Sequence, residues 1–199
     1  MPQFTNVEVP LSKVFARLGF AHGITAVDSK TQELIEEEIV FAKRLIMPKQ
    51  VIASAKILFS GSIVSLDRGF SINSKSICNL LSKSSQVYAF AITIGPHFES
   101  KRNDYIAKKE TARALILDAI GSETAEMLAD ITNKQISQEA GKAGLKTTKR
   151  FSPGYGDWGL ENQKAFLNWL GAENIGIKLN ESFQMIPEKS VSAIIGAYK

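Results

Sequence analysis

Hydrophobic and polar positions change their period several times along the chain, and each change predicts a different element. Residues 10–18 read as a short helix, with Gly19 as its stop signal. Asp28 or Ser29 caps a longer helix running to about Leu45. Its apolar positions Leu34, Ile35, Ile39, Ala42 and Leu45 fall on one side, the glutamates at 36–38 face water, and Pro48 ends it. The period then shortens. VIASAKILF (51–59), SIVSL (62–66) and GFSI (69–72) are β-branched or aromatic and broken by Gly or Asp, which predicts an antiparallel meander. A helix near 74–83 follows, and then QVYAFAITIG (86–95), apolar enough for a strand buried on both faces. Residues 98–140 are mostly helical, with Ala112, Leu115, Ala119, Met127, Leu128 and Ile131 among the expected buried positions. Gly121 interrupts that helix, either for packing or for close approach of a ligand or backbone. Beyond a polar stretch lie the loop RFSPGYGDWG (150–159), a helix at 160–171 ending on a glycine, and strand-like segments at 175–179 and 190–198.

Helical and strand blocks are thus segregated, which predicts an α+β fold. The 199 residues suffice for one substantial core, and no linker or repeat divides them, so a single domain over 1–199 is expected. No stretch approaches the roughly 18–20 apolar residues of a membrane span. The opening MPQFTNVEVP lacks a basic region followed by an apolar one, so a cytoplasmic location is expected. The net charge of +4 comes from cations spread over the whole chain, densest at Lys146 to Arg150, and no aromatic–basic pattern points to nucleic acid. Cys78 is the only cysteine, in an apolar setting that reads as a buried thiol. His22 and His97 are far apart, so no zinc-ligand spacing exists and no metal site is expected.

The candidate chemistry sits in the loop at 150–159. Gly154, Gly156 and Gly159 spell G-x-G-x-x-G, but the strand–helix–strand units of a dinucleotide fold are missing around them. Arg150 carries a planar fork of donors suited to a carboxylate. Pro153 and Gly154 force a turn, the glycines let backbone amides and carbonyls approach a flat ligand, and Tyr155 adds an aromatic face with one hydroxyl. Such a set suits an amino-acid carboxylate at one end and a purine at the other. It equally suits a structural turn, and composition alone leaves both open.

Several strings here, in this order, resemble the activation domain of cobalamin-dependent methionine synthase. They are the Arg150-x-x-Pro153-Gly154-Tyr155 loop, the following helix, the Ile-Gly-x-x-Leu-x-Glu-Ser-Phe-x-Met-x-Pro stretch (175–187) and Ser190-Val191-Ser192. LDAIGSETAEMLAD upstream resembles the family's preceding helix. The resemblance is strong over 110–197 and weaker over 1–107. It implies a mostly antiparallel twisted sheet with flanking helices. It also implies S-adenosylmethionine as ligand, with Arg150 on its carboxylate, main-chain contacts from Ser152 and Tyr155 around the adenine, and Gly154 and Gly156 shaping the turn. Glu126, or Glu123 one turn earlier, would hold the amino end, and Asp118 would face the cobalamin module; each of these acids also reads as a plain helix carboxylate.

The function so implied is reductive remethylation of an inactivated cobalamin carried by a partner, methionine synthase or a related corrinoid protein, with an electron donor such as flavodoxin. The chain lacks an Asp-x-His-x-x-Gly corrinoid motif, so action in trans is expected, and no catalytic acid, base or nucleophile is needed. The family's domain continues past Ser-Val-Ser where this sequence ends at Lys199, so weak binding or a pocket completed by a partner is expected. The competing expectation is a corrinoid-protein docking module that no longer binds S-adenosylmethionine.

Overall fold

The computed structural model describes residues 4, 7–20, 27–67 and 69–199; His22 lies outside them. In chain order they form α1 (Leu11–Arg17), α2 (Ser29–Ala42), β1 (Lys49–Ser60), β2 (Ile63–Leu66), β3 (Phe70–Asn73), α3 (Lys75–Leu81) and β4 (Gln86–Thr93). These are followed by α4 (His97–Ala107), α5 (Thr111–Lys142), β5 (Lys146–Thr147), α6 (Gln163–Leu170), β6 (Lys178–Leu179), β7 (Met185–Ile186) and β8 (Ser190–Tyr198). Six strands make one antiparallel sheet in the order β3-β2-β1-β4-β8-β5, so the α+β expectation holds and 51–72 is the expected meander. Among the described residues no helix is long and apolar enough to cross a membrane.

The sheet is covered on both faces, and β4 shows why its sequence is apolar throughout. Tyr88, Phe90 and Ile92 enter a core shared with α1, α2, α4 and α5, while Val87, Ala89 and Ala91 enter a second core under α3 and α6. Side chains alternate across a strand, so a strand covered on both faces has no position to give to water. Helix starts follow local chemistry: Asp28 caps α2 by accepting from Thr31 N at 3.0 Å, and Ser74 caps α3 by accepting from Ile77 N at 3.1 Å.

Four expectations change. First, α2 ends at Ala42, before Leu45, and its glutamates do not all face water. Glu38 is 1% exposed, accepts from the Tyr105 hydroxyl at 2.9 Å and pairs with Arg113, which also reaches Glu37 at 2.8 Å. Burial and the Glu38 carboxylate beside it push the Tyr105 hydroxyl up to about 12. Second, α5 buries a different stripe. Ala119 and Leu128 are buried and Met127 half-buried, but Ala112, Leu115 and Ile131 are exposed. The buried face runs through Ala114, Leu117, Gly121, Thr124, Leu128, Thr132, Ile136 and Ala140. Ala, Gly and Thr alternate there with Leu117, Leu128 and Ile136, so a search for large apolar side chains alone finds only part of this face. Thr124 and Thr132 fit because each hydroxyl donates to the carbonyl one turn back, at 2.7 and 2.8 Å. Third, Gly121 lies within an unbroken helix, where a Cβ would come 2.8 Å from Phe98 and 3.2 Å from Lys189, so close packing explains it. Fourth, of 175–179 only Lys178–Leu179 is strand, paired with β7; residues 172–175 form a 3-10 turn. Cys78 is half-buried, its Sγ 3.0 Å from the Ser62 carbonyl.

Candidate functional site

After β5 the chain stays beside β8 instead of leaving the sheet. Thr148 N donates to the Gly196 carbonyl at 2.9 Å, and Phe151 and Ile194 exchange two backbone hydrogen bonds of 3.0 and 2.8 Å. The Ser152 hydroxyl then donates to the Ser192 carbonyl at 2.6 Å. Phe151 packs into the second core, and the alternation of side chains along extended backbone sends Arg150 the other way, toward α5. There Arg150 Nη2 donates to Glu126 at 2.6 Å and lies 3.4 Å from Asp130.

The chain next turns through Pro153 to Trp158. Gly154 N donates to the Trp158 carbonyl at 2.7 Å, and Trp158 N to that of Tyr155 at 3.1 Å. Gly156 takes φ +57°, and a Cβ there would sit 3.0 Å from Ser76 Oγ and 3.3 Å from Phe151, so a side chain would be strained and crowded at once. Two residues that the sequence pattern does not single out hold this turn. Trp158 is fully buried between Phe151 and Phe166. Asp157 reaches α3: its carboxylate accepts from Ser74 Oγ at 2.6 Å, Lys75 N at 2.6 Å and Ser76 N at 3.1 Å. The hydrogen bond from Ser74, joined by Ser76 and the backbone amides, holds this carboxyl well below the usual carboxylate range.

That depressed acidity gives a prediction with a definite sign. A carboxylate whose folded pKa is lowered stabilises the fold fully above its unfolded value of about 4 and loses the contribution as pH falls toward the lower folded value. Asp157→Asn is expected to lower the melting temperature at pH 7. The gap between variant and wild type should narrow as pH is taken below about 4. Thermal melts across that range check it; a gap independent of pH would mean that the charge on Asp157 contributes nothing.

Loop, helix and strand together enclose a cavity of about 500 Å³. Its wall takes Glu126 from α5; Arg150, Ser152, Pro153 and Tyr155 from the loop; Leu160 and Gln163 from the start of the next helical segment; Gln184 and Met185 from the turn into β7; and Ser190 to Ser192 from β8. Gln163, 4% exposed, secures the β6–β7 turn by donating from Nε2 to the Phe183 carbonyl at 2.7 Å. Arg150 Nη1 is buried without a hydrogen-bond partner. Of the residues singled out in the sequence, Glu126, Arg150, Ser152 and Tyr155 meet at this cavity, while Gly154 and Gly156 shape the turn without lining it.

Glu123 and Asp118 lie elsewhere. Glu123 accepts from Arg17 Nε at 2.5 Å, with only 12% of its side chain exposed. Asp118, two turns before Glu126 on α5, accepts from Lys189 at 2.8 Å and Arg102 at 3.0 Å. Burial pushes its carboxyl up, but the hydrogen bonds from Lys189 and Arg102 outweigh this and hold it below the ordinary range. Arg102 also grips Glu188 at 2.7 Å, and Lys189 donates to Ser122 at 2.8 Å, so Asp118 belongs to a polar cluster joining α4, α5 and the approach to β8.

The family model described as "Vitamin B12 dependent methionine synthase, activation domain" matches residues 77–199. Among solved structures, the chain is similar to one described as "Crystal Structure of the MetH Reactivation Domain bound to AdoHcy". The TM-score is 0.72 at 16% identity, with 94% of this chain and 73% of that one covered, so the fold is shared. No curated protein matches the chain. Because the family match spans more than half of the sequence and includes every residue lining the cavity, from Glu126 to Ser192, the chain belongs to the vitamin B12-dependent methionine synthase activation domain family.

Proposed function

We propose that this domain binds S-adenosylmethionine in the 500 Å³ cavity and presents its methyl group to an inactivated cobalamin held outside these 199 residues. The observation that carries the reading is the meeting of Arg150 and Glu126 at one cavity with the turn at 152–156. An α-amino acid carries a carboxylate and an ammonium on neighbouring atoms, and an Arg–Glu pair offers the complementary charges side by side. Arg150 Nη1, buried and unpartnered, is a further donor for the carboxylate. The volume falls within the range of roughly 300–1,000 Å³ common for small-molecule pockets. The similar solved structure, a MetH reactivation domain bound to AdoHcy, holds a ligand of the same chemical class.

Arg150 and Glu126 then anchor the amino-acid end, Ser152 and the backbone around Tyr155 meet the purine, and the sulfonium between the two fixed ends is held in one position. Cobalamin, when bound by its carrier and reduced by an electron from a donor such as flavodoxin, would supply the cobalt that takes the methyl group as its bond to sulfur breaks and S-adenosylhomocysteine leaves. The residues of this chain contribute orientation, which converts a random encounter into an aligned one. Asp118, in its polar cluster two turns before Glu126 on α5, is proposed to face the cobalamin carrier.

Calorimetry with S-adenosylmethionine tests the ligand. Saturable one-site binding supports the reading; no heat at millimolar ligand replaces it with the docking-module alternative. For action in trans, the protein is mixed with a cobalamin-dependent synthase that lacks this domain, oxidised to its inactive state, together with S-adenosylmethionine and a low-potential reductant. Recovery of the methylated cobalamin spectrum at the same rate without this protein would overturn that part.

A further inference from the structure

Two residues that line the cavity each carry a buried side-chain atom without a hydrogen-bond partner, Arg150 Nη1 and Ser192 Oγ. The first belongs to a residue already assigned to the ligand's carboxylate. The second has no such assignment, yet a hydroxyl kept from both water and protein partners is unfavourable. Ser84 Oγ and Trp158 Nε1 are also buried without a partner, but neither residue lines the cavity, and other buried hydroxyls near Ser192 are satisfied. Ser190, two residues earlier on the same face of β8, donates to the Pro187 carbonyl at 2.6 Å, and the buried Thr124 and Thr132 donate to helix carbonyls.

The position of Ser192 points the same way. It is 2% exposed and shares its face of β8 with Ile194, on the side of Trp158 and Phe166. Its own carbonyl is fastened to the ligand loop by the Ser152 hydroxyl at 2.6 Å, so its backbone is fixed while its hydroxyl stays free. The pairing of Phe151 with Ile194 puts Arg150 opposite Ile195. Ser192 lies three residues farther along, about 10 Å at the rise of a strand. Arg150, on the α5 face, and Ser192, on the opposite face, therefore mark two separated residues of the cavity lining, as the carboxylate and the nucleoside are separated in S-adenosylmethionine.

We propose that Ser192 recognises the nucleoside, its hydroxyl hydrogen-bonding a polar edge of the adenosine half and so favouring nucleoside ligands over free methionine. The inference rests on the S-adenosylmethionine reading above. A hydroxyl both donates and accepts, which suits an adenine edge where a ring nitrogen adjoins an amino group. Having no bond to lose, it can turn among its three staggered positions about Cβ to meet the ligand.

The test is calorimetry on wild type and Ser192→Ala with S-adenosylmethionine, 5′-methylthioadenosine and methionine, with melts of both proteins free of ligand. Ser192→Ala is expected to weaken the two nucleoside ligands about fivefold, the effect of one neutral hydrogen bond. Methionine binding should not change, and the ligand-free melting temperature should stay level or rise, because the deleted hydroxyl had no partner. Where a fragment gives no heat, S-adenosylmethionine alone decides. Unchanged affinity for S-adenosylmethionine in the variant overturns the role of Ser192 and leaves the ligand reading intact. A fall in the ligand-free melting temperature would show the hydroxyl to be structural and also overturn it. No binding by wild type overturns the ligand reading itself.

Discussion

Replacing Arg150 with alanine is expected to weaken S-adenosylmethionine binding at least about tenfold, because a hydrogen bond to a charged group is worth roughly 1.5–3 kcal/mol. The melting temperature should change little. In the free protein the Arg150 side chain is 28% exposed and its partners Glu126 and Asp130 are 44% and 55% exposed, so the carboxylates that it leaves behind regain water. Arg150→Lys separates charge from shape: an ammonium keeps the charge but loses the planar fork, so affinity should be only partly restored. Titration calorimetry with a parallel thermal melt checks both halves of the expectation. Wild-type affinity in Arg150→Ala would remove Arg150 from the site.

Trp158→Ala should act oppositely, on the fold first and on the ligand as a consequence. The indole is fully buried, 6.4 Å from the Phe151 ring in a stacked arrangement and 5.3 Å from Phe166 edge-on. Truncating a buried aromatic of this size costs about 3–5 kcal/mol. In a domain of this length that lowers the melting temperature by on the order of 10 °C. Binding should be lost well below the new melting temperature, since the Trp158 backbone also accepts from Gly154 N and donates to the Tyr155 carbonyl across the turn. Trp158→Phe should cost much less, because the indole nitrogen is buried without a partner and its removal breaks no hydrogen bond. Circular-dichroism melts followed by calorimetry at about 10 °C, where the variants remain folded, distinguish the two. Equal losses in both would mean that the nitrogen has a partner after all.

The arrangement explains why one short loop combines rigidity with an open cavity. Its outer turn is nailed to α3 by Asp157 and to the second core by Trp158, and its incoming arm is zipped to β8. The backbone between these fixings is therefore held in place before any ligand arrives, which reduces the ordering cost of binding. Glu126 approaches from the opposite side on α5, the longest helix among the described residues, whose buried stripe locks it onto the sheet.

What the sequence determined by itself was whatever depends on neighbours along the chain. Alternation and turn residues specified the meander at 51–72, the apolar run specified β4 as a strand buried on both faces, and Gly171 stopped α6. Pro153, Gly154 and Gly156 marked the turn locally, and the Arg150-x-x-Pro153-Gly154-Tyr155 string marked the loop through its resemblance to the family. Contacts between distant segments were invisible. Glu38 reads as a solvated helix carboxylate until Tyr105 and Arg113 of two later helices close over it. The buried face of α5 mixes Ala, Gly and Thr, which carry little hydrophobic signal, with Leu117, Leu128 and Ile136, and Gly121 permits the close approach of Phe98 and Lys189. Glu126 and Glu123 differ by less than one helical turn, and only the packing of α1 gives Glu123 to Arg17 and leaves Glu126 for Arg150. Asp157 and Ser192 acquire meaning only when α3 and β8 are brought against the loop, by contacts between segments far apart in the chain that no local pattern encodes.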